Sequence, residues 1–404
     1  MDVGERMDVI RRLCSFGRRR AGSDAERRAA NYLADRLRAA RRRAEVEPTY
    51  VHPQYALVHA LHCLLAIAGS LAALEIPALG FALVLLAAVS MYLDLNTRFY
   101  LLRRLSFRRA SQNVLSRGAR PDAPARVVLC AHYDAARTGY AFAPRTVERA
   151  AGVAAHLPIP IGPFRIAFWS LAALLPVLGA RMAGVDAEWL SVVQIVPTLV
   201  LIVAVFALVD TALSEVSPGA NDNASGAATV LALAAELDRD APENLDVWVL
   251  FPGAGWSLHE GMRSFMRAHA RELPRDSTYI VCVDTVGLGD VRYETSAGWV
   301  VSFPMDRRLV ELCDAIAAAD DGPDSFHARP LRLGVGDDGI AARIRRYATT
   351  TVTCANELDV VPTVHASTDL PERIDPAALE RAHGFTLALV RQLDRDVGRR
   401  GALV

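Results

Sequence analysis

Nowhere in the 404 residues does a Cys-x-x-Cys spacing occur, and the six cysteines, Cys14, Cys63, Cys130, Cys282, Cys313 and Cys354, are scattered. Three of them lie in or at the end of strand-like runs, which argues for buried free thiols in a reducing compartment and against a disulfide framework. Charge of one sign is also lacking, with 45 Lys+Arg against 45 Asp+Glu, so net charge offers nothing to a nucleic acid. The first 50 residues contain no apolar stretch, and no cleaved leader is expected. Hydrophobic residues are not scarce: they make up 52% of the chain, more than a water-soluble enzyme needs.

Two segments hold the excess. Ala56 to Leu74 and Pro77 to Leu93 are apolar with only Glu75-Ile76 between them, and Ile166 to Ala180 and Ala187 to Leu213 repeat the arrangement. Each run approaches the roughly 20 residues that cross a bilayer as a helix, and the spacing predicts two transmembrane hairpins. His59 and His62 are costly in lipid unless they lie near an end or are paired. Arginines flank the hairpins on one side, at Arg36, Arg38, Arg41–Arg43, Arg98, Arg103, Arg104, Arg108, Arg109, Arg145, Arg149 and Arg165. The far turns hold Arg181 beside Glu75, Asp186 and Glu188, so the positive-inside rule places the rest of the chain in the cytoplasm. Thr97 to Ala110, which mixes five arginines with Phe99, Leu101, Leu102, Leu105 and Phe107, has two readings: an interfacial helix, or an extension of the membrane helix followed by a basic linker.

Outside the hairpins the chain reads as α/β. Ser23-Asp-Ala-Glu26 has the form of a capping box ahead of helical spacing at Ala29, Ala30, Leu33 and Leu37. Ala44 to Val51 alternates as a strand, and Asn113 to Ser116 resumes the sheet. Ala141 to Pro163 is a connector without clear periodicity, Ala377 to Val390 is a closing amphipathic helix, and the end beyond Arg395 is expected to fray.

Four polar residues stand where open α/β sheets place their ligands. His132 follows the apolar run from Arg126 to Ala131, Asp284 follows Tyr279 to Val283, and His365 lies beyond a third run, Thr349 to Cys354. Asp222, in Gly219-Ala-Asn-Asp-Asn-Ala-Ser-Gly226, is a bare carboxylate ahead of an apolar helix from Ala227 to Leu237. Two imidazoles and two carboxylates form a ligand set suited to zinc.

In this order the motifs resemble the co-catalytic zinc aminopeptidase family that includes aminopeptidase Y and the bacterial leucyl aminopeptidases, with glutamate carboxypeptidase and the glutaminyl cyclases similar in fold. The resemblance implies a twisted mixed β-sheet flanked by helices, here interrupted by the two hairpins. It implies a peptidase-like unit built from residues 1–54, 96–137 and 216–404, with hairpins within 55–95 and 138–215. Asp222 would bridge two zinc ions, His132 and Asp284 would complete one shell, His365 would belong to the other, and Asp134 would orient the shell from behind. In that family two adjacent glutamates, a general base and a ligand to the second zinc, follow the strand Asp246 to Phe251; here Gly255 and Trp256 fall at those positions.

Losing a positioned base typically costs about 10²–10⁴ in rate, and Asp222 with His365 is short of the three protein ligands usual for catalytic zinc. One zinc ion is therefore expected, with two as the alternative. His259 and Glu260 are read as ordinary helical residues rather than as substitutes for the pair, and Asp337, in Gly334-Val-Gly-Asp-Asp338, is a candidate substrate-binding residue. The expected protein is an integral-membrane metallopeptidase acting on a peptide, most readily at a free N-terminus; the alternative is an inactive relative that binds or regulates at the membrane. Replacing both Gly255 and Trp256 by glutamate separates the two readings at this stage. The sequence does not set an oligomeric state.

Overall fold

The computed structural model describes residues 1–154, 162–320, 322 and 325–401. Its strands are β1 (Glu45–Val51), β2 (Arg109–Ser116), β3 (Ala125–Cys130), β4 (Leu245–Phe251), β5 (Thr278–Val283), β6 (Asp290–Ala297), β7 (Phe303–Pro304), β8 (Arg329–Arg332) and β9 (Ala348–Ala355). They form one mixed sheet in the order β1-β2-β4-β3-β5-β9-β6-β7, with β8 paired to β6. The centre, β4-β3-β5-β9, is parallel, and its strands are almost wholly buried runs of Val, Ile, Leu, Cys and Thr, as a sheet covered on both faces requires.

The helices are α1 (Val3–Ser15), α2 (Asp24–Ala39), α3 (Tyr55–Ala72), α4 (Pro77–Leu95), α5 (Pro144–Ala154), α6 (Pro163–Met182), α7 (Glu188–Leu213), α8 (Gly226–Arg239), α9 (Glu260–Ala268), α10 (Arg307–Ala318), α11 (Asp338–Arg343) and α12 (Pro376–Gly401). One sheet face is covered by α1, α2, α8, α10 and α12, the other by α9 and α11. Because the central strands run parallel, their carboxyl ends share one edge, and the loops after β3, β4 and β5 meet there.

The remaining helices, α3, α4, α6 and α7, pack as a second apolar cluster that touches the sheet domain through Leu258, Trp299 and Val300. All four are long and apolar enough to cross a membrane. Gly69 on α3 and Gly80 on α4 let their backbones close: a Cβ on Gly80 would come within 2.4 Å of the Gly69 carbonyl oxygen. Two contacts tie α6 to the sheet domain, Arg165 Nη2 to the Gly298 carbonyl (2.6 Å) and Trp169 Nε1 to the Val300 carbonyl (3.1 Å). The outward faces carry exposed Leu57, Leu61, Leu85, Val192, Val196, Leu199, Val203 and Phe206, an apolar belt far larger than single surface hydrophobics make. His59 and His62 are buried near the domain end of α3, and His62 bonds Val58 and Ser90.

Several expectations change. Thr97 to Ala110 forms neither an interfacial helix nor an extension of α4, holding only one 3-10 turn at Leu102–Leu105 before β2. The cause is Arg103, which turns inward and is fully buried against Asp94, the Ser257 carbonyl and Glu260. The capping box is half made: Ser23 Oγ accepts from Glu26 N–H, while the Glu26 carboxylate turns away to Gly22 N, Ser111 Oγ and Ala254 N. The connector holds helix α5, and the part from 155 to 161 lies outside the described residues. Among the described residues the chain stays helical beyond Arg395, as α12 continues to Gly401 with Asp394 bonded to the Glu243 and Asn244 amides; 402–404 lie outside the described residues.

Candidate metal centre

His132 leaves the end of β3, Asp284 the end of β5, and Asp222 lies in the turn that leads into α8. Their ligand atoms lie within 4.8 Å of one another. His132 Nε2 is 3.6 Å from Asp222 Oδ1 and 3.6 Å from Asp284 Oδ1.

The Asn-Asp-Asn motif owes its form to what its amides hold. Asn223 Oδ1 accepts from the Gly226 and Thr285 amides and its Nδ2 donates to the Val283 carbonyl; Asn221 Oδ1 accepts from Gly287 N–H. Both side chains thus staple the turn bearing Asp222 to the loop bearing Asp284. Gly226 is required by this closeness, since a Cβ there would lie 2.3 Å from the Val283 carbonyl oxygen. Asp369 secures the turn from the other side by accepting from the Asn221 and Asp222 amides at 2.8 and 3.0 Å, and buried Arg19 donates to the Tyr133 and Gly219 carbonyls. The role of Arg19 leaves no spacing signal, because it acts on the backbone, whereas Asp369 closes the His-x-x-x-Asp spacing that starts at His365.

Asp134 lies behind His132, with Oδ1 3.3 Å from His132 Nδ1. It also accepts from the Gly255 and Trp256 amides, at 2.7 and 3.1 Å, while Glu26 accepts from Ala254 N–H at 2.9 Å. Three consecutive amides of the loop after β4 are therefore held by two buried carboxylates. Burial, then the Asp134 charge, pushes the Glu26 carboxyl up to about 8.

At Gly255 the backbone presses on the imidazole: a Cβ would come within 2.6 Å of His132 Cγ. A glutamate there would displace His132, so the double replacement that the sequence suggests does not test activity cleanly. Trp256 occupies the other position. Its indole Nε1 donates to Asp222 Oδ1 at 2.9 Å, and its ring meets His365 edge-on with centroids 4.0 Å apart. His365 is not brought into the group of three. It is stacked on Phe142, bonded through Nδ1 to the Arg137 carbonyl at 2.7 Å, and separated from Asp222 by the indole. Burial lowers its pKa to about 4.

His259 pairs with Asp338 at 3.1 Å and stacks on Trp299, and Glu260 turns to Arg103 and the His52 amide, so neither reaches the centre. Asp337 caps α11 through Ile340 N–H and bonds Thr351, and burial raises its pKa to about 6. Glu294 lies on β6. It is buried with Oε2 unpartnered, and burial followed by Asp337 and Asp284 pushes its carboxyl well up. It sits in an alternating strand that reads as half solvated, so no pattern marks it.

The group of three fits a divalent cation. Asp222 Oδ2 and Asp284 Oδ1 are buried without a hydrogen-bond donor. Burial pushes the Asp222 carboxyl well up, and although burial alone would lower the His132 imidazole, Asp284 and Asp134 hold it well above its ordinary value. One imidazole and two carboxylates in this state need either protons or a metal, and the donor set is that of zinc.

Two cavities meet here. A polar one of about 520 Å³ includes Asp284, Glu294, Asp337 and Asp359, and an apolar one of about 290 Å³ includes Gly255, His365 and residues of α6 and α7. Trp256, Phe142, Val335 and Val364 line both.

Residues 197–390 match the family model described as peptidase family M28. Among solved structures, a glutaminyl cyclase from Bacteroides thetaiotaomicron is similar over 96% of this chain and 97% of its own, at 14% identity and a TM-score of 0.56. A Zn-dependent exopeptidase from Parabacteroides distasonis is similar over 97% and 99%, at 13% and 0.55. A leucine aminopeptidase precursor from Bacteroides thetaiotaomicron gives 96% and 97%, at 14% and 0.55. At these identities the structural likeness shows the fold. No curated protein matches by sequence. The fold is thus the one the motifs imply.

Proposed function

We propose that the protein is a membrane-inserted metallohydrolase of the peptidase type, cleaving an amide bond with one zinc ion held by His132, Asp222 and Asp284. The observation that carries this reading is the convergence of those three side chains with Asp222 Oδ2 and Asp284 Oδ1 left without donors. A bound zinc supplies polarisation of a carbonyl and a water whose pKa is lowered to roughly 7.

The chain's own residues do the rest. Asp134 fixes the His132 ring and the loop carrying Trp256. The Trp256 indole N–H occupies Asp222 Oδ1. Glu294 Oε2, unpartnered in the polar cavity that Asp284 also lines, takes and returns the proton that the missing glutamate would handle. Four helices long and apolar enough to cross a membrane support an anchor in the bilayer, and the arginine bias supports a cytoplasmic side for the centre.

One observation favours a second reading, a non-catalytic peptide binder: the Trp256 indole N–H already occupies Asp222 Oδ1 at 2.9 Å. The test is turnover of amide substrates by the purified, zinc-loaded protein with His132→Ala beside it. Hydrolysis that disappears in the variant supports the enzyme. Zinc bound by the wild type without hydrolysis of any amide would establish the binder.

A further inference from the structure

The apolar cavity runs from the Trp256 indole, whose Nε1 is bonded to Asp222, into the four apolar helices; His132, Asp222 and Asp284 do not line it. Its floor is Gly255, Trp256 and His365, and its walls are Phe164 and Ala167 of α6 with Val200, Ala204, Ala207 and Thr211 of α7. Thr211 lies beside the sheet domain and Val200 near the middle of α7. At 1.5 Å per residue the wall is about 16 Å long, roughly half of a ~30 Å hydrocarbon core. The cavity is open where Ile166 and Val203 line it, since these residues are 47% and 68% exposed.

The polar cavity differs in charge. Glu148, Asp284, Glu294, Asp337 and Asp359 line it with Arg373; Asp359 is paired to Arg292 at 3.0 Å and Asp284 belongs to the metal group, which leaves Glu148, Glu294 and Asp337 to face a cation. Among the described residues lining the apolar cavity there is no Asp, Glu, Lys or Arg. The free ammonium of an aminopeptidase substrate would have no counter-charge there, and Asp222 Oδ1 already accepts from Trp256. Burying an unpaired charge in such a place costs several kcal/mol.

Resting on the hydrolase reading above, we infer that the substrate is a long-chain N-acyl amide with a cationic head. The acyl chain enters from one leaflet between α6 and α7 and lies along Val200, Ala204 and Ala207. The head lies in the acidic cavity, and the amide falls between them at His132, Asp222 and Asp284. Water adds its oxygen to the acyl carbon, the C–N bond breaks, and the nitrogen leaves with the proton. The products are a fatty carboxylate on the bilayer side and an amine that becomes an ammonium among the carboxylates.

The test uses the full-length, zinc-loaded protein in phosphatidylcholine vesicles, with N-palmitoyl-lysinamide, N-acetyl-lysinamide and a leucine anilide as substrates. The palmitoyl amide is expected to be cleaved at least about tenfold faster than the acetyl amide. Ala207→Phe, which narrows the cavity, should lower the palmitoyl-to-acetyl ratio by about tenfold or more, in line with what a few methylenes in a fitted pocket discriminate. Zinc content measured on the same preparation of Ala207→Phe reports whether it is folded. Cleavage of the leucine anilide in preference to the palmitoyl amide overturns the inference and leaves the hydrolase reading standing, as does an unchanged ratio in a folded variant. If no amide is hydrolysed, the hydrolase reading fails and a brominated palmitoyl-lysinamide decides the rest. Quenching of tryptophan fluorescence that is weaker in Ala207→Phe upholds the chain site at Trp256 and Trp299, while equal quenching in both proteins shows only a bilayer lipid against the helices.

Discussion

On one side of Asp222, the ends of β3 and β5 bring His132 and Asp284 to within 3.6 Å of each other and leave carboxylate oxygens bare. On its other side, Trp256 gives Asp222 a hydrogen bond at 2.9 Å and meets His365 edge-on with ring centroids 4.0 Å apart. The two half-sites share a carboxylate and a scaffold and differ by one side chain. A sheet can thus bring polar side chains to one edge while a single loop residue decides which of them meet.

If the first half-site works with Glu294 as its proton carrier, Glu294→Gln should lower turnover by about 10²–10⁴ while zinc content stays at the wild-type level; equal activity would return the role to an unseen group. The link behind His132 is weaker. Asp134→Asn should cost about 10–100-fold in zinc affinity or activity, read by competition with a chelator.

Trp256→Glu sharpens the comparison itself. It gives the second half-site a third protein ligand beside Asp222 and His365, and the zinc count under excess metal should rise from one toward two. An unchanged count would mean that His365, held by the Arg137 carbonyl and Phe142, is not free to turn.

The smallest effect concerns Glu26, which holds the Trp256 loop through Ala254. Its pKa is raised from 4.5 to about 8 by folding, so between those values the folded protein keeps a proton that the unfolded chain has released. This group's contribution is full below 4.5 and is lost as pH rises through about 8. Glu26→Gln should flatten the fall of thermal stability with pH across that window, and an identical slope in both proteins would remove Glu26 from the account.

Much of the fold was legible because it rests on repeating patterns. The four bilayer-length apolar runs and the buried strands ahead of His132 and Asp284 each express one rule over many residues. Asp222 was legible because both flanking amides are committed to stapling two loops. Single side chains that turn inward were not: Arg103 looks like one more arginine in a basic linker, yet its burial against Asp94 and Glu260 abolishes the expected helix. Glu294 looks solvated in an alternating strand, and Gly255 looks like a loop glycine until its distance to His132 is known. Those positions are decided by what packs over them from remote parts of the chain.

The most direct test of the difference between the two half-sites is the zinc content of the detergent-purified protein after dialysis, with His132→Ala as the control. One zinc per chain, lost in the control, is the predicted result. Two zinc ions per chain would contradict the account, because the Trp256 indole could not then be filling the second place, and no zinc would remove the metal from the mechanism altogether.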